Sequence, residues 1–271
     1  MKRLLFIIKI IFSVLLLFEI FFICYLLFFA PKVKRFSFAE HNQGQYLSQK
    51  TFDILIFQNP NYSNAYFEKS VAFNKRGEYE KGFELLNKAV ELDPKLHLGY
   101  RGWIKLRKLK DYQGCINDLK KLDSLTPNFV DAPWGENIHY LLGQSYKELK
   151  KYDLALKEFD KNLKTEKDSS WVDPNLFLYK GIIYNKLKEY EKAIRNLDVC
   201  LGQNHNNSPE AYFHKGIAFK KLNNLDSAKI CFKKSEELFN KGYKINDIYN
   251  EVQDELYFSD IIKELKYFEQ N

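Results

Sequence analysis

Residues Asn137–Leu163 read NIHYLLGQSYKELKKYDLALKEFDKNL, and this stretch decides the fold. Small and aromatic side chains recur at every third position from Gly143 to Leu149. They recur again at intervals of three and four residues from Tyr152 to Phe159. Such intervals place side chains on one face of an α-helix. The stretch is therefore predicted to form two short helices joined by a tight turn.

The same pattern occurs twice more downstream, from Gly181 to Leu197 and from Gly216 to Phe232. A helix pair of this size can bury its apolar face only against a neighbouring pair. The chain, which has 271 residues, is therefore predicted to be a stack of like helical units that share one continuous core.

These helix pairs resemble the tetratricopeptide repeat, a unit of about 34 residues with conserved positions for a small residue and for aromatic residues on each helix. Five units match in register: 63–95, 96–129, 136–169, 174–207 and 209–242. The resemblance implies an all-α fold, a right-handed superhelical solenoid of stacked helix-turn-helix units. One departure stands out, because Trp103 occupies the slot of the small residue in the second unit. It must either displace the neighbouring helix or face outward.

The segments that flank the five units depart from the repeat. Residues 36–62 are interpreted as a transitional half-repeat that caps the stack. The loops 130–135 and 170–173 each carry one tryptophan, which either plugs the loop onto the stack or forms the rim of a ligand site. In the tail, 243–271, two short amphipathic capping helices are expected. Their apolar positions are Ile248, Val252, Leu256, Ile261, Leu265 and Phe268.

The amino-terminal segment, 1–35, is predicted to be an uncleaved transmembrane signal-anchor. Its apolar run, 4–29, would be about 39 Å long as a helix, which exceeds the hydrocarbon thickness of a bilayer. A cleavable signal peptide is the alternative, but its apolar region is usually shorter. The basic flanks slightly favour a cytoplasmic amino terminus and repeats outside the cytoplasm. Glu19 lies near mid-membrane, either as a tolerated protonated acid or as a contact to another membrane helix.

The net charge of +7 does not indicate nucleic-acid binding. Residues 1–35 hold six lysines or arginines against one glutamate, a net charge of +5. Residues 36–271 hold 36 basic against 34 acidic side chains, a net charge of +2. A nearly balanced surface is typical of a solvated helical protein.

The chain carries no motif for catalysis or for cofactor binding. Its five histidines lack metal-ligand spacing, and there is no nucleophile elbow and no phosphate-binding glycine loop. The four cysteines show no CxxC pair, so they are interpreted as packing residues. We therefore expect no enzyme, no cofactor, no metal site and no small-molecule substrate.

The resemblance implies that the first helices of the units line a concave surface that receives a peptide or a partner helix. The positions carried over are polar, aromatic and aliphatic, and any of the apolar ones could equally pack between helices. By unit they are Asn64, Phe67, Val71 and Asn74; His97, Tyr100, Ile104 and Arg107; Asn137, Tyr140, Gln144 and Lys147; Asn175, Leu178, Ile182 and Asn185; and Glu210, Phe213, Ile217 and Lys220.

These observations predict a single-pass, membrane-anchored scaffold for protein–protein interaction whose concave face binds an extended, partly apolar peptide. One alternative is a sensor or regulatory subunit that is coupled to a partner through its transmembrane helix at Glu19. A second alternative, nucleic-acid binding through lysine-rich faces, is disfavoured by the charge balance of residues 36–271.

Overall fold

The computed structural model describes residues 2–166, 172–247 and 249–270. Within these ranges the protein has fourteen α-helices and no β-strand, which confirms the predicted all-α class. The helices are α1 Lys2–Cys24, α2 Lys32–His41, α3 Tyr46–Gln58, α4 Ser63–Lys75, α5 Tyr79–Leu92, α6 Pro94–Ile104, α7 Tyr112–Leu125, α8 Ile138–Glu148, α9 Tyr152–Thr165, α10 Pro174–Lys186, α11 Tyr190–Gln203, α12 Pro209–Lys221, α13 Leu225–Asn240 and α14 Phe258–Gln270. They form two compact units, Met1–Leu98 and Gly99–Asn271.

The first unit begins with a long apolar helix. Helix α1 continues into a π-helical turn, Tyr25–Phe29. The segment Leu5–Phe29 has 25 residues and a mean hydropathy of 2.7, and its most apolar window is not buried within the protein. By length and composition this helix can cross a bilayer. A signal sequence has the same properties, and the geometry of the helix is compatible with either role.

Helices α2 and α3 fill the segment that the sequence suggested was a half-repeat. They form a helix pair whose core includes Phe52 and Leu55, with Phe36 packed against it. The buried side chain of Arg35 donates hydrogen bonds to the Leu27 carbonyl oxygen (3.0 Å) and to Gln58 Oε1 (2.7 Å). This arginine therefore ties the end of the apolar segment to α3.

Helix pairs α8–α9, α10–α11 and α12–α13 show why a glycine recurs on the first helix. A Cβ atom at Gly143 would lie 2.4 Å from Phe159 Cε1, and one at Gly216 would lie 2.8 Å from the same atom of Phe232. At Gly181 it would lie 2.6 Å from Leu197 Cγ. Each glycine thus lets a large buried side chain from the second helix of its own pair lie against the backbone of the first helix.

In the pair α6–α7 the contact between the two helices is shifted by one residue, so Trp103 does not occupy the position of the small residue. A Cβ atom at Gly102, not Trp103, would meet the partner helix, 2.9 Å from Leu119 Cδ2. The spacing from Gly102 to Leu119 is 17 residues, against 16 in the three later pairs. The π-helical turn Lys105–Leu109 accommodates the extra residue, because a π turn holds one residue more than an α turn.

Adjacent pairs are joined by ion pairs and by stacked rings. Lys180 on α10 contacts Asp160 on α9 at 2.6 Å, and Lys215 on α12 contacts Asp198 on α11 at 2.5 Å. Both aspartates are about half exposed, so each pair contributes at most about 1 kcal/mol. The Tyr179 ring lies 6.2–6.4 Å from two rings of the preceding pair. Packing of buried apolar side chains therefore contributes more than these ion pairs to holding adjacent helix pairs together.

Three of the four cysteines take part in this core. Cys115, Cys200 and Cys231 are buried. Burial raises the pKa of the Cys115 thiol to about 12 and that of the other two to about 11. They are therefore protonated packing residues at neutral pH.

The tail differs from its expected form. It contains one helix, α14, and not two, because the described residues between 243 and 257 are not helical. Val252 and Leu256 belong to this irregular segment, and Ile248 lies outside the described residues. Helix α14 packs on the last repeat, with Phe268 6.0 Å from Phe232 and Phe258 5.7 Å from Phe239 between ring centres. The described residues that lead into it, 244–247 and 249–255, are called the inserted loop below.

Candidate peptide-binding groove

A cavity of about 410 Å³ lies in the second unit, between the first helices of its repeats and the inserted loop. Both sides contribute polar side chains, and the helical side also contributes three aromatic ones. The helical side consists of Trp103, Arg107, Glu136, Tyr140, Asp173, Asn175 and Tyr179, and the described residues of the loop side are Ile245, Asn246, Asp247, Asn250, Glu251, Val252 and Gln253.

Arg107 organises one end of the cavity. Its guanidinium group donates to Gln144 Oε1 at 2.7 Å and forms an ion pair with the Glu136 carboxylate. Glu136 also accepts a hydrogen bond from the indole N–H of Trp103 at 2.7 Å. The π turn puts Arg107 within reach of both partners. The positive charge is buried but paired, so it shapes the wall without leaving an uncompensated charge.

Two tyrosines and an aspartate form the floor. The Tyr140 hydroxyl donates to Asp173 Oδ2 at 3.4 Å, and Asp173 also caps α10 by accepting from the Asn175 amide at 2.8 Å. Burial raises the pKa of Tyr140 and Tyr179 well above the usual value. Burial likewise raises the pKa of Asp173, against the Asn175 amide, which lowers it. The floor is therefore poorly solvated, and hydrogen bonds made there are strengthened.

Lys147 lies beside the cavity, next to Tyr179 of its floor. Its side chain is 4% exposed, and its ammonium group pairs with Asp254 of the inserted loop. The same group lies 4.9 Å from the centre of the Tyr179 ring, a cation–π distance. Lys147 therefore links α8 to the inserted loop through a largely buried ion pair.

The inserted loop touches the helices at three further points. Glu210 Oε1 accepts a hydrogen bond from the Ile245 amide at 2.7 Å. The ammonium group of Lys108 donates to the Tyr249 carbonyl oxygen. Lys110 donates to the Glu251 carbonyl oxygen at 3.3 Å, and its ammonium lies 3.7 Å from the carboxylate of the same residue. The groove therefore contacts main-chain groups and carboxylates.

The structure places the groove residues suggested by the sequence in different environments. In the compact unit Gly99–Asn271, three of the predicted residues line the cavity, namely Arg107, Tyr140 and Asn175. Gln144 accepts a hydrogen bond from Arg107, and Lys147 and Glu210 contact the inserted loop. The others serve the repeats themselves. Tyr100, Ile104, Leu178 and Ile182 are buried, Asn137 caps α8, Asn185 donates to the His214 carbonyl oxygen, Phe213 packs on Phe232, Ile217 is half-buried and Lys220 pairs with Glu264 of α14.

The predicted groove residues of the compact unit Met1–Leu98 also contact neighbouring side chains. Phe67 stacks on His97 with ring centres 4.8 Å apart, and burial lowers the pKa of His97. Val71 and Asn74 are buried, and Asn74 lies against Gly82 of α5. Asn64 is half-buried. Glu19 lies on the exposed surface of α1.

Sequence reasoning missed Trp103, Glu136, Asp173 and Tyr179 as wall residues. Glu136 and Asp173 could have been found, because Asp173 is the N-cap of α10 and Glu136 lies one residue before the N-cap of α8, where acidic and capping residues concentrate. Trp103 required the one-residue shift to be known. Of the two loop tryptophans, Trp134 packs on Tyr100 with ring centres 4.7 Å apart, and Trp171 lies outside the described residues.

Comparison with known proteins identifies the repeats. The tetratricopeptide repeat model matches residues 63–96, 136–168 and 209–241. Anaphase-promoting complex subunit 3 of Schizosaccharomyces pombe is 27% identical over 122 residues, which are 45% of this chain and 17% of that protein. TPR repeat-containing protein MJ1428 of Methanocaldococcus jannaschii is 27% identical over 181 residues, 66% of this chain and 31% of that protein. The chain thus spans less than a third of either relative.

Solved structures share the fold at low identity. The crystal structure of MamA has a TM-score of 0.57 and 18% identity, and covers 69% of this chain and 97% of its own. YrrB, described as a TPR protein with an unusual peptide-binding site, has a TM-score of 0.56 and 16% identity, and the match covers 69% of this chain and 91% of YrrB. PilW, a type IV pilus biogenesis factor, has a TM-score of 0.59 and 13% identity, and the match covers 77% of this chain and 94% of PilW. The chain therefore carries tetratricopeptide repeats and has the fold of a tetratricopeptide solenoid.

Proposed function

We propose that this chain is a membrane-anchored adaptor that binds a polypeptide segment of a partner protein in the groove of its second unit. The single observation that carries the proposal is the inserted loop, which lies in this groove and is held there through its main chain and its carboxylates. Contacts to main-chain groups suit any unfolded segment, and side-chain pockets then select among sequences.

An adaptor role is supported by the polar side chains of the cavity wall, which are paired with one another. Arg107, Glu136 and Gln144 are fixed by one another before any partner arrives. A groove whose donors are already oriented loses less side-chain entropy when it binds. YrrB, which has the same fold, is described as having an unusual peptide-binding site, and this adds weight to the proposal.

The apolar helix Leu5–Phe29 is proposed to hold the protein in a membrane. Its side chains are exposed along most of its length, and a soluble protein rarely exposes so much contiguous apolar surface. Arg35 fixes the end of the segment to α3. The anchor predicts that the full chain stays in the pellet after alkaline carbonate extraction of membranes. Release of the intact chain would contradict the anchor and leave the groove proposal standing.

Site-specific photo-crosslinking in the native membrane tests the groove. A photoreactive residue at Asn175, which lines the cavity, is compared with one at Lys229, which is exposed on α13. We expect a discrete protein adduct from position 175 only, and its loss when Lys147→Glu is added. The captured partner is then titrated against the purified full chain. Equal adducts from both positions, or adducts that persist with Lys147→Glu, would refute the assignment.

A further inference from the structure

We propose that the inserted loop is a tethered competitor for the groove, and that the partner is an acidic segment that displaces it by presenting the same chemistry. The proposal rests on the proposed function, because it names what that groove recognises. It also makes a claim about the free protein, namely that its own residues 244–255 block the site.

The loop can leave the groove without unfolding the tail. The side chains at its two ends are paired, since Lys244 Nζ lies 2.9 Å from Glu255 Oε1. Just outside them, the rings of Phe239 and Phe258 are 5.7 Å apart and join α13 to α14. A loop with adjacent ends and a separately packed base is a compact surface element. Helix α14 can therefore remain docked while the loop swings out.

Charge complementarity holds the loop in place. Residues 244–255 contain four carboxylates, Asp247, Glu251, Asp254 and Glu255, against the single cation Lys244, a net charge of −3. On the facing surface, Lys108, Lys110 and Lys147 each donate to the loop or pair with it. The facing carboxylates of Glu136 and Glu210 are already engaged, by Arg107 and by the Ile245 amide. The chemistry that this groove selects is therefore a carboxylate-rich segment with accessible main-chain carbonyl groups.

The loop fits this groove imperfectly. Within the described residues, Asn250 Oδ1 and both amide atoms of Gln253 are buried and have no hydrogen-bond partner. Gln144 Nε2 on the facing helix is in the same situation, and a cavity of about 410 Å³ remains between the loop and the floor. Buried polar atoms without partners weaken a complex. A partner segment that bonds to these groups and fills the cavity would bind more tightly than the loop does.

The test removes the competitor and adds it back as a separate molecule. In the loop-replaced variant, residues 245–254 of the full chain become a glycine–serine stretch of equal length, and α14 is kept. The probe is a fluorescent synthetic peptide of residues 244–255, titrated by anisotropy against detergent-solubilised protein. A short tether gives an effective concentration on the order of 1 mM. Against a peptide Kd on the order of 100 µM, the loop then competes about tenfold.

We expect the loop-replaced variant to bind the peptide at least tenfold more tightly than the unmodified chain. Binding should be lost with Lys147→Glu or with a peptide in which its acids are amides. Equal affinity for both chains would overturn the competition, and absence of binding to the loop-replaced variant would overturn the recognition. No partner protein is used, so this result is independent of the crosslinking experiment.

A milder variant guards against misfolding. Glu251→Gln combined with Asp254→Asn keeps the loop length and removes two of its charge contacts. Peptide affinity should rise in this variant as well, while its circular dichroism spectrum stays unchanged. An unaltered affinity in a folded double variant would also overturn the proposal.

Discussion

Replacing Gly143 by alanine tests the packing that defines each repeat. The added Cβ atom would lie 2.4, 2.5 and 3.0 Å from three ring atoms of Phe159. That ring is fully buried and packs on Tyr140 and Tyr179 with centres 6.2 and 6.4 Å away. It must move by about 1 Å to reach ordinary contact, and overpacking of this kind costs about 1–3 kcal/mol.

Gly202 supplies the matched control. It also lies in a helix, α11, and a Cβ atom there would meet nothing within 4 Å. Both substitutions gain helix propensity, up to about 1 kcal/mol, so their difference isolates the clash with Phe159. We expect Gly143→Ala to be less stable than Gly202→Ala by about 1–3 kcal/mol.

Thermal unfolding of the detergent-solubilised full chain, followed by circular dichroism at 222 nm, measures this difference. At about 2–4 °C per kcal/mol for a unit of this size, the two melting temperatures should differ by roughly 2–12 °C. Equal melting temperatures for the two variants would show that the Phe159 ring moves freely. The close contact at the small position would then not be what holds the helix pairs together.

Three other perturbations probe the groove and the anchor. A double-mutant cycle of Lys147→Ala and Asp254→Ala should give a coupling of about 1 kcal/mol in urea unfolding, and strictly additive effects would refute the contact. Burial lowers the pKa of His214 to about 4, against Asp254, which raises it. Protonation therefore favours the unfolded chain, and stability should fall by up to about 3 kcal/mol as pH drops from about 6.5 to 4. His214→Gln should remove this pH dependence of the free energy of unfolding. An unchanged pH dependence in the variant would show that His214 does not cause it. Glu19→Leu should weaken co-purification with any partner that binds the membrane helix, and undiminished recovery would sink that idea.

The repeat architecture was predictable because its signal is local and repeated. A glycine followed sixteen residues later by a large apolar residue occurs at Gly143, Gly181 and Gly216, and each instance produces the same close helix contact. The length and composition of 4–29 likewise indicate a helix able to cross a membrane. In both cases the spacing of apolar residues carries the information, and no distant part of the chain is needed.

The groove was harder to predict because its positions depend on register. The extra residue in the π turn Lys105–Leu109 shifts the register of this helix pair, and Ile104 is buried while Trp103 lines the cavity. The same residue types occur in α and π turns, so composition gives no warning. On α10 the expected Leu178 and Ile182 are buried, while the neighbouring Tyr179 reaches the cavity. A groove residue is identified by whether it borders the cavity, and this requires the positions of the neighbouring repeat and of the inserted loop.

The spacing of apolar residues predicted a helix in the inserted loop, but a local turn forms there instead. Val252 and Leu256 are four residues apart, as in a helix, yet Asp247 accepts hydrogen bonds from the amides of Tyr249 and Asn250. A side chain that bonds to amides two and three residues ahead offers the backbone an alternative to helix. Together with the contacts to the facing lysines, this local turn outweighs the helical pattern.

The compact unit Gly99–Asn271 has two irregular features, the π turn Lys105–Leu109 and the inserted loop, and they contact each other. The π turn in the first repeat of this unit presents Arg107 to Glu136 and Gln144, and presents Lys108 to the Tyr249 carbonyl oxygen of the inserted loop. A regular α-helical turn would rotate residues beyond the insertion by about 100° relative to those before it. The wall formed by Trp103 and the lysine contacts would then not face the same cavity. The repeats thus supply a common scaffold, and the departures from the repeat shape the groove in which we propose that a partner segment binds.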